Sequence, residues 1–287
     1  MGCPDDCESL RITVLVQDPQ PDSGMKLVMQ AAVRVRATVL KRLDHTGIRG
    51  KVALGSAEAQ AIIKKAVAEG RRNLLEPEAK AICVEYDIPT PGYRVAVDPS
   101  SAAALAGELG YPVVLKVISP DIVHKTDVGG VMIGLSSSDA VESAYLRIVE
   151  SVRAHKPDAR ITGILVQKMA PESTEIIVGS VNDPQFGKTI LFGLGGVFVE
   201  ILKDVSFRIA PLEERDARDM IREIKGYSIL EGYRGSPPAD QNAIIHVLLS
   251  ASRLVMENPQ IEEMDLNPTI VYQHGAVVAD ARMVLST

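Results

Sequence analysis

His124 stands in the run Pro120-Asp121-Ile122-Val123-His124-Lys125-Thr126-Asp127-Val128-Gly129-Gly130-Val131. An imidazole is a good nucleophile near neutral pH, because its ordinary pKa is about 6.5. Lys125 brings a mobile point charge that suits a phosphoryl oxygen. Adjacent glycines let backbone N–H groups come close to an anion, so Gly129 and Gly130 are candidate anion-binding positions. Asp127 is placed to orient the imidazole or to cap the turn. Together these residue types suit phosphate chemistry. The plainer alternative is a solvated loop whose His does nothing, and the rest of the chain has to decide between them.

Two further sites bear on that choice. Lys116 interrupts the apolar strand Val113-Val114-Leu115-Lys116-Val117-Ile118. An unpaired buried ammonium is costly, so Lys116 must reach an anionic partner or an exposed edge, where it would block aggregation. Asn267 and Asp280 sit at the ends of two expected strands separated by a turn at His274-Gly275. Antiparallel pairing brings them together, and two hard oxygen donors suit Mg²⁺, which takes few protein ligands and leaves room for water and phosphate oxygens. Arg282, two residues on, shares a face with Asp280. The alternative is an Asn-Pro turn and a surface Asp. Gly193-Leu194-Gly195-Gly196 is a weaker signal, being neither a Walker loop nor a dinucleotide fingerprint. Glu200 and Asp204 after it read as metal or base carboxylates, or as solvated charges. The chain has no Ser nucleophile elbow and no His-Glu-x-x-His helix.

The elements that must position these residues alternate along the chain. Ser56 caps a helix with the apolar stripe Ile62, Ile63, Ala66 and Val67, ending near Gly70. Glu76-Pro77-Glu78 opens a second helix with Ala79, Ile82, Cys83 and Tyr86 on its buried face. A strand from Arg94 to Val97 leads to an Ala-rich helix capped by Ser100 or Ser101. After the Val113–Ile118 strand and the His124 loop come a strand from Gly130 to Leu135 and a helix opened by Ser137 or Ser138. Strands follow over 161–168, 174–181, 188–193 and 205–209, then helices over 213–224 and 240–257, and the chain closes in strands to Tyr272 and from Ala276 to Val284. The mixture predicts an α+β fold.

Composition narrows the function. The chain has 287 residues, net charge −6, 46% apolar residues, no Trp and four Phe. An acidic chain short of aromatics argues against a nucleic-acid grip or a single-strand stacking platform. No apolar run reaches the ~20 residues that span a membrane. No secretory signal is evident, Asp6 spoils a myristoylation motif, and the three Cys do not make a zinc set. Cys83 reads as a buried thiol, and a cytoplasmic location is expected. Residues 1–55 read as a separate N-terminal extension, with a possible basic helix between Met25 and Leu43.

In order along the chain, several motifs resemble one family. They are Leu75-Glu76-Pro77-Glu78-Ala79-Lys80 through Ile88-Pro89-Thr90-Pro91, Gly110-Tyr111-Pro112-Val113-Val114-Leu115-Lys116, the His124–Val131 run, Gly193-Leu194-Gly195-Gly196, Gly232-Tyr233-Arg234-Gly235 and Asp265-Leu266-Asn267-Pro268. From about 58 to 285 the chain resembles the ATP-grasp domain of ADP-forming acyl-CoA synthetases, the family of acetate–CoA ligase (ADP-forming) β subunits and a relative of the succinyl-CoA synthetase β chain.

The resemblance implies an ATP-grasp fold, with two α+β subdomains (56–168, including the N-terminal helices, and 169–287) clasping ATP or ADP with Mg²⁺. It implies that Lys116 contacts the nucleotide phosphates, that Gln167-Lys168-Met169 faces adenine, that Glu175 helps hold the nucleotide, that Asn267 and Asp280 ligate Mg²⁺, and that His124 carries phosphate transiently. It also implies a CoA-binding α subunit as partner, in an α2β2 assembly. Two other readings compete: a carboxylate ligase that releases a free acyl phosphate in its own cleft, and a non-catalytic nucleotide-binding module. The acyl group and the choice of ATP over GTP are not encoded in these motifs.

Overall fold

The computed structural model describes residues 55–196, 204–233 and 237–286. The expectations for residues 1–54, Glu200 and Arg234-Gly235 lie outside the described residues. The elements are α1 (Ala57–Ala68), α2 (Glu76–Glu85), β1 (Tyr93–Ala96), α3 (Pro99–Leu109), β2 (Val113–Ile118), β3 (Val131–Leu135), α4 (Ser138–His155), β4 (Gly163–Lys168), β5 (Thr174–Asp183), β6 (Gly187–Leu194), β7 (Val205–Ile209), α5 (Glu214–Glu223), the single turn α6 (Tyr227–Leu230), α7 (Gln241–Glu257), β8 (Ile261–Val271), β9 (Ala276–Val278) and β10 (Ala281–Leu285). The result is α+β, as the sequence predicts.

Two antiparallel sheets carry the fold. The first has four strands in the order β1-β4-β2-β3; the second has six, in the order β10-β8-β5-β6-β7 with β9 paired to β8. Helices α3 and α4 pack on each other and on the first sheet, closing a core of Val113, Leu115, Val117, Ile148, Ile164 and Val166 with the Ala102, Ala103 and Ala106 stripe of α3. Such small side chains let a helix lie close to its neighbours. Across the second sheet runs α7, whose Ile244, Leu248, Ala251 and Val255 repeat at helical spacing against β5, β6 and β8. Helices α1 and α2 join this second core through Ile63, Ala79, Ile82 and Cys83, with α2 against β10. A boundary drawn in sequence order at residue 168 therefore parts these helices from the core they share.

Local signals explain most element ends. The Ser56 hydroxyl accepts the Ala59 N–H at 3.0 Å, and Asp240 caps α7 by accepting from Ala243 N–H at 3.0 Å. Asp240 also accepts from Gly275 N–H at 2.8 Å, which ties the start of α7 to the turn before β9. Two details depart from expectation. Asp98, rather than Ser100 or Ser101, caps α3: its carboxylate accepts the Ser101 N–H at 2.8 Å while the Ser101 hydroxyl bonds back to residue 98, and a carboxylate is the stronger acceptor. Val67 is 54% exposed, because one residue past Ala66 turns a helix by about 100° and carries it off the buried stripe.

Phe192, on β6, is fully buried in the second core. Phe192→Ala is expected to cost about 3–5 kcal/mol, read as a lower midpoint in equilibrium urea unfolding with unchanged slope.

Candidate functional site

The site forms where the two sheets meet, and its centre is a helix residue. Glu76 opens α2 beneath Pro77, and the α2 stripe of residues 76, 79, 80 and 83 faces inward at helical spacing. Glu76 is 5% exposed and Lys80 fully buried. Glu76 Oε1 lies 3.0 Å from Lys80 Nζ and 2.7 Å from Lys116 Nζ, and Oε2 lies 3.0 Å from Lys125 Nζ. Three ammonium groups thus converge on one carboxylate. Lys116 also meets Asp280 Oδ2 at 3.1 Å and donates to the Ala279 carbonyl at 3.0 Å. Lys80 donates to the same carbonyl at 3.1 Å and to the side-chain oxygen of Gln167. Strand β2 is paired on both sides, by β4 and β3, so the edge reading of Lys116 is overturned and the anionic-partner reading holds.

The charges shift one another. Burial by itself pushes the Glu76 carboxyl up, but Lys116, Lys80 and Lys125 outweigh it and bring the pKa down to about 2. Burial brings Lys80 down to about 8, only partly offset by Glu76, because the charge of Lys116 opposes its own. Lys116 is buried too, yet Asp280 and Glu76 together hold its pKa above the ordinary lysine value. The difference between the two lysines is one carboxylate.

A cleft of about 190 Å³ opens beside this cluster, lined among others by Glu76, His124, Lys125, Asp265, Asn267, Asp280 and Arg282. His124 is exposed on the loop between β2 and β3, facing this cleft. The loop is fastened at both ends. Asp121 accepts the Arg160 N–H at 2.8 Å, and the Ser151 hydroxyl of α4 donates to the Val128 carbonyl at 2.9 Å. The glycines have a steric task. Gly129 takes φ +64°, and a Cβ there would lie 2.4 Å from Ser151 Oγ; a Cβ on Gly130 would lie 2.5 Å from Val117 and 2.8 Å from the Lys125 carbonyl. Their N–H groups are engaged inside the turn, with Thr126 O at 3.1 Å and Lys125 O at 2.7 Å. The expectation that Gly129 and Gly130 offer amides to an anion is therefore corrected for this conformation: they let the loop fold tightly against α4 and β2.

Asp127 is also corrected. It is exposed and absent from the cleft lining, because Thr126–Val128 is a 3₁₀ turn in which successive side chains point about 120° apart. Asn267 and Asp280 are brought together as expected, with Asn267 N–H donating to the Asp280 carbonyl at 3.2 Å. Gln167, Met169 and Glu175 lie outside the cleft lining. Gln167 is buried against Lys80, the Met169 N–H donates to Pro112 O at 3.0 Å, and Glu175 is exposed on β5, its carbonyl accepting from Gly195 N–H at 2.8 Å. Asp204 proves to be a local cap, accepting from Lys225 and Gly226 N–H at 2.8 and 2.7 Å.

Sequence reasoning missed Glu76, Lys80 and Asp265 as site residues. Asp265 precedes Asn267 by two on β8, which puts both on one face, and that spacing was its signal. Burial, and then the charge of Asp280, push the Asp265 carboxyl up to about 7 against the pull of Arg282. Asp265 Oδ1 and Arg282 Nε are buried without hydrogen-bond partners. Among the described residues no cluster of three or more His, Cys, Asp or Glu is arranged to hold a metal by itself. Oxygen donors from Asp265, Asn267 and Asp280 fit Mg²⁺ that keeps waters and phosphate oxygens as its other ligands, and a cation would supply the partner Asp265 Oδ1 lacks.

A family profile described as an ATP-grasp domain matches residues 65–285, and the chain belongs to the ATP-grasp family. Within that family its relatives are particular. The β subunit of acetate–CoA ligase [ADP-forming] I from Pyrococcus furiosus is 48% identical over 80% of this chain and 98% of its own. Acetate–CoA ligase [ADP-forming] I from Archaeoglobus fulgidus is 47% identical over 82% of this chain, which spans only 34% of that longer protein. The dinucleotide forming acetyl-coenzyme A synthetase 1 of Ca. Korarchaeum cryptofilum, in complex with coenzyme A, Ca-AMPCP and HgCl+, superposes with a TM-score of 0.78 at 50% identity, over 79% of this chain and all of that one. A further structure of that synthetase, with coenzyme A and Mg-AMPPCP, has a TM-score of 0.71 at 46% identity over the same shares of the two chains, and its phosphohistidine segment points towards the nucleotide binding site.

The depressed Glu76 pKa has a defined consequence for stability. A carboxyl lowered on folding adds stability that is present above its unfolded value, near 4.5, and lost as pH falls through its folded value, about 2. Wild-type stability should therefore fall between those pH values, and Glu76→Gln should flatten that limb of a plot of chemical-denaturation stability against pH.

Proposed function

We propose that this chain is the nucleotide-binding β subunit of an ADP-forming acyl-CoA synthetase, an acid–thiol ligase that interconverts acyl-CoA, ADP and phosphate with the free acid, ATP and CoA. The observation that carries this reading is that His124, Asp265, Asn267 and Asp280 line one cleft, with Lys116, itself outside the lining, bonded to Asp280 behind it.

The chemistry is two in-line displacements at phosphorus. A nitrogen of the His124 ring attacks a phosphoryl group delivered by the partner; the N–P bond forms and the bond to the donor breaks. A terminal oxygen of ADP then attacks, the N–P bond breaks, and ATP leaves with the imidazole restored. Both nucleophiles are good, so positioning and charge neutralisation supply most of the acceleration. Lys116 and Lys125 face the equatorial oxygens. Asp265, Asn267 and Asp280 would hold Mg²⁺, which would supply charge screening of the nucleotide phosphates. Gln167 and Met169 are assigned to the adenine end and Glu175 to holding the nucleotide; the bond from Lys80 to Gln167 ties that end to the charged network of Glu76.

The relatives named as β subunits support a partner subunit, and the longer fused ligases support a partner that carries the rest of the reaction. The partner is a CoA-binding α-type chain, and the assembly is α2β2. The two sheets are the two subdomains of the clasp, with α1 and α2 belonging to the core of the second although they precede the first in sequence. Among the described residues no helix is long and apolar enough to cross a membrane, and Cys83 is a free buried thiol whose pKa burial pushes up to about 12. Both features support a cytoplasmic enzyme.

His124→Ala, assayed with the partner subunit, should abolish ATP formation from acetyl-CoA, phosphate and MgADP, a loss of at least about 10³-fold by analogy with removing other covalent catalysts. ADP affinity by calorimetry should be unchanged. Full turnover in that variant refutes the role of the ring.

A further inference from the structure

We propose that Glu76 is a positioning residue that docks the His124 loop: one carboxylate oxygen holds Lys116 of the nucleotide-facing strand while the other holds Lys125, the residue after His124. The proposal deepens the reading above and rests on it.

The geometry is that of a fixed post with a movable arm. Glu76 sits in the first turn of α2, a helix locked into the second core by Ala79, Ile82 and Cys83. The start of that helix is braced by Arg71, whose two terminal nitrogens each lie 2.8 Å from an oxygen of Glu78. Glu76 Oε1 is shared by Lys80 and Lys116, at 3.0 and 2.7 Å. Oε2 has Lys125 at 3.0 Å and makes no hydrogen bond of good geometry. The next acidic oxygen near Lys125, Asp280 Oδ2, is at 3.9 Å.

Between the anchors at Asp121 and Val128, this ion pair is the charged contact that fastens the loop to α2. It is also buried on the Glu76 side, with 2% side-chain exposure, against 19% for Lys125. A buried carboxylate left by its cation is costly, so the pair favours the conformation in which His124 faces the cleft. Undocking the loop does not expose a bare anion completely, because Lys80 and Lys116 stay on Oε1. The docked state is therefore preferred without being irreversible, as a ring that exchanges phosphate between two sites requires.

A docking role and a merely structural role part company in a double-mutant cycle. The complete enzyme with its partner is first phosphorylated from acetyl-CoA and phosphate, then mixed rapidly with MgADP, and ATP formation is timed. Glu76→Gln, Lys125→Met and the double variant are compared with wild type, and the ADP dissociation constant is measured separately for each. If Glu76 acts through Lys125, each single substitution slows discharge roughly tenfold, the coupling expected of residues in contact, and the double variant is no slower than the slower single. Any effect of Glu76→Gln on ADP affinity, which runs through Lys116, is the same in both Lys125 backgrounds.

Rates that multiply in the double variant overturn the docking pair and leave the phosphohistidine reading standing. A wild type that forms no ATP from any of several acyl-CoAs overturns both. Should Glu76→Gln fail to fold, Lys125→Arg decides: an arginine that restores the rate lost in Lys125→Met supports the pair, and one that does not overturns it.

Discussion

The site depends on one electrostatic constraint: a carboxylate on the inner face of α2 neutralises ammonium groups that would otherwise be intolerable where they are. Lys116 is on an interior strand with 6% exposure and Lys80 has none. Neither can be charged in that setting without an anion in contact, since desolvation of an isolated ion outweighs most of what folding can return. Glu76 is that anion, and Asp280 assists it, in direct contact with Lys116 and at longer range for Lys80. On the proposed function, the same arrangement keeps Lys116 and Lys125 organised before a nucleotide arrives, which is what catalysis by charge neutralisation requires.

The topology explains how such a cluster can be assembled. Glu76 comes from a helix of the second core, Lys116 from a central strand of the first sheet, and Asp280 from the corner between β9 and β10. The carbonyl of Ala279 accepts from both Lys80 and Lys116, so this corner joins the two layers at the floor of the cleft. The N–H of Val278 donates to Pro89 O at 2.8 Å, fixing the same corner against the chain that leaves α2. The His124 loop enters from the remaining side, held by α4 through Ser151. Each contributor is a short excursion from a well-packed core, which keeps the geometry tight.

Much of this was legible in the chain. The β2 strand and β7 match their expected limits, because an apolar run broken only by Lys116 and the alternating Val205-Ser206-Phe207-Arg208-Ile209 both read as strand. The pairing that brings Asn267 to Asp280 followed from a Gly turn between two strands. Lys116 announced itself by being the wrong residue type for its strand. Glu76 did not, because an acid in the first turn of a helix already has an ordinary explanation in the helix dipole, and nothing local says that this turn is buried. Asp265 was hidden for a related reason: it is one of several acids, with Glu262 and Glu263, that alternate with apolar residues as a solvated strand face would. The two glycines and Asp127 were misread because sequence gives residue types in a loop but not which way a 3₁₀ turn aims its amides and side chains. Burial set by tertiary packing decided all of these cases.

The account stands on phosphate resting on the ring of residue 124 and on no other side chain of this chain. The direct measurement is to incubate the complete enzyme with MgATP labelled at the γ-phosphate, quench in alkali, digest, and map the labelled peptide. The account predicts that within this chain the label is on His124 alone, stable to base and lost in acid as a phosphoramidate is, and discharged by added MgADP. Label on a hydroxyl or carboxyl residue, or no protein-bound label from an enzyme that turns over normally, would contradict it.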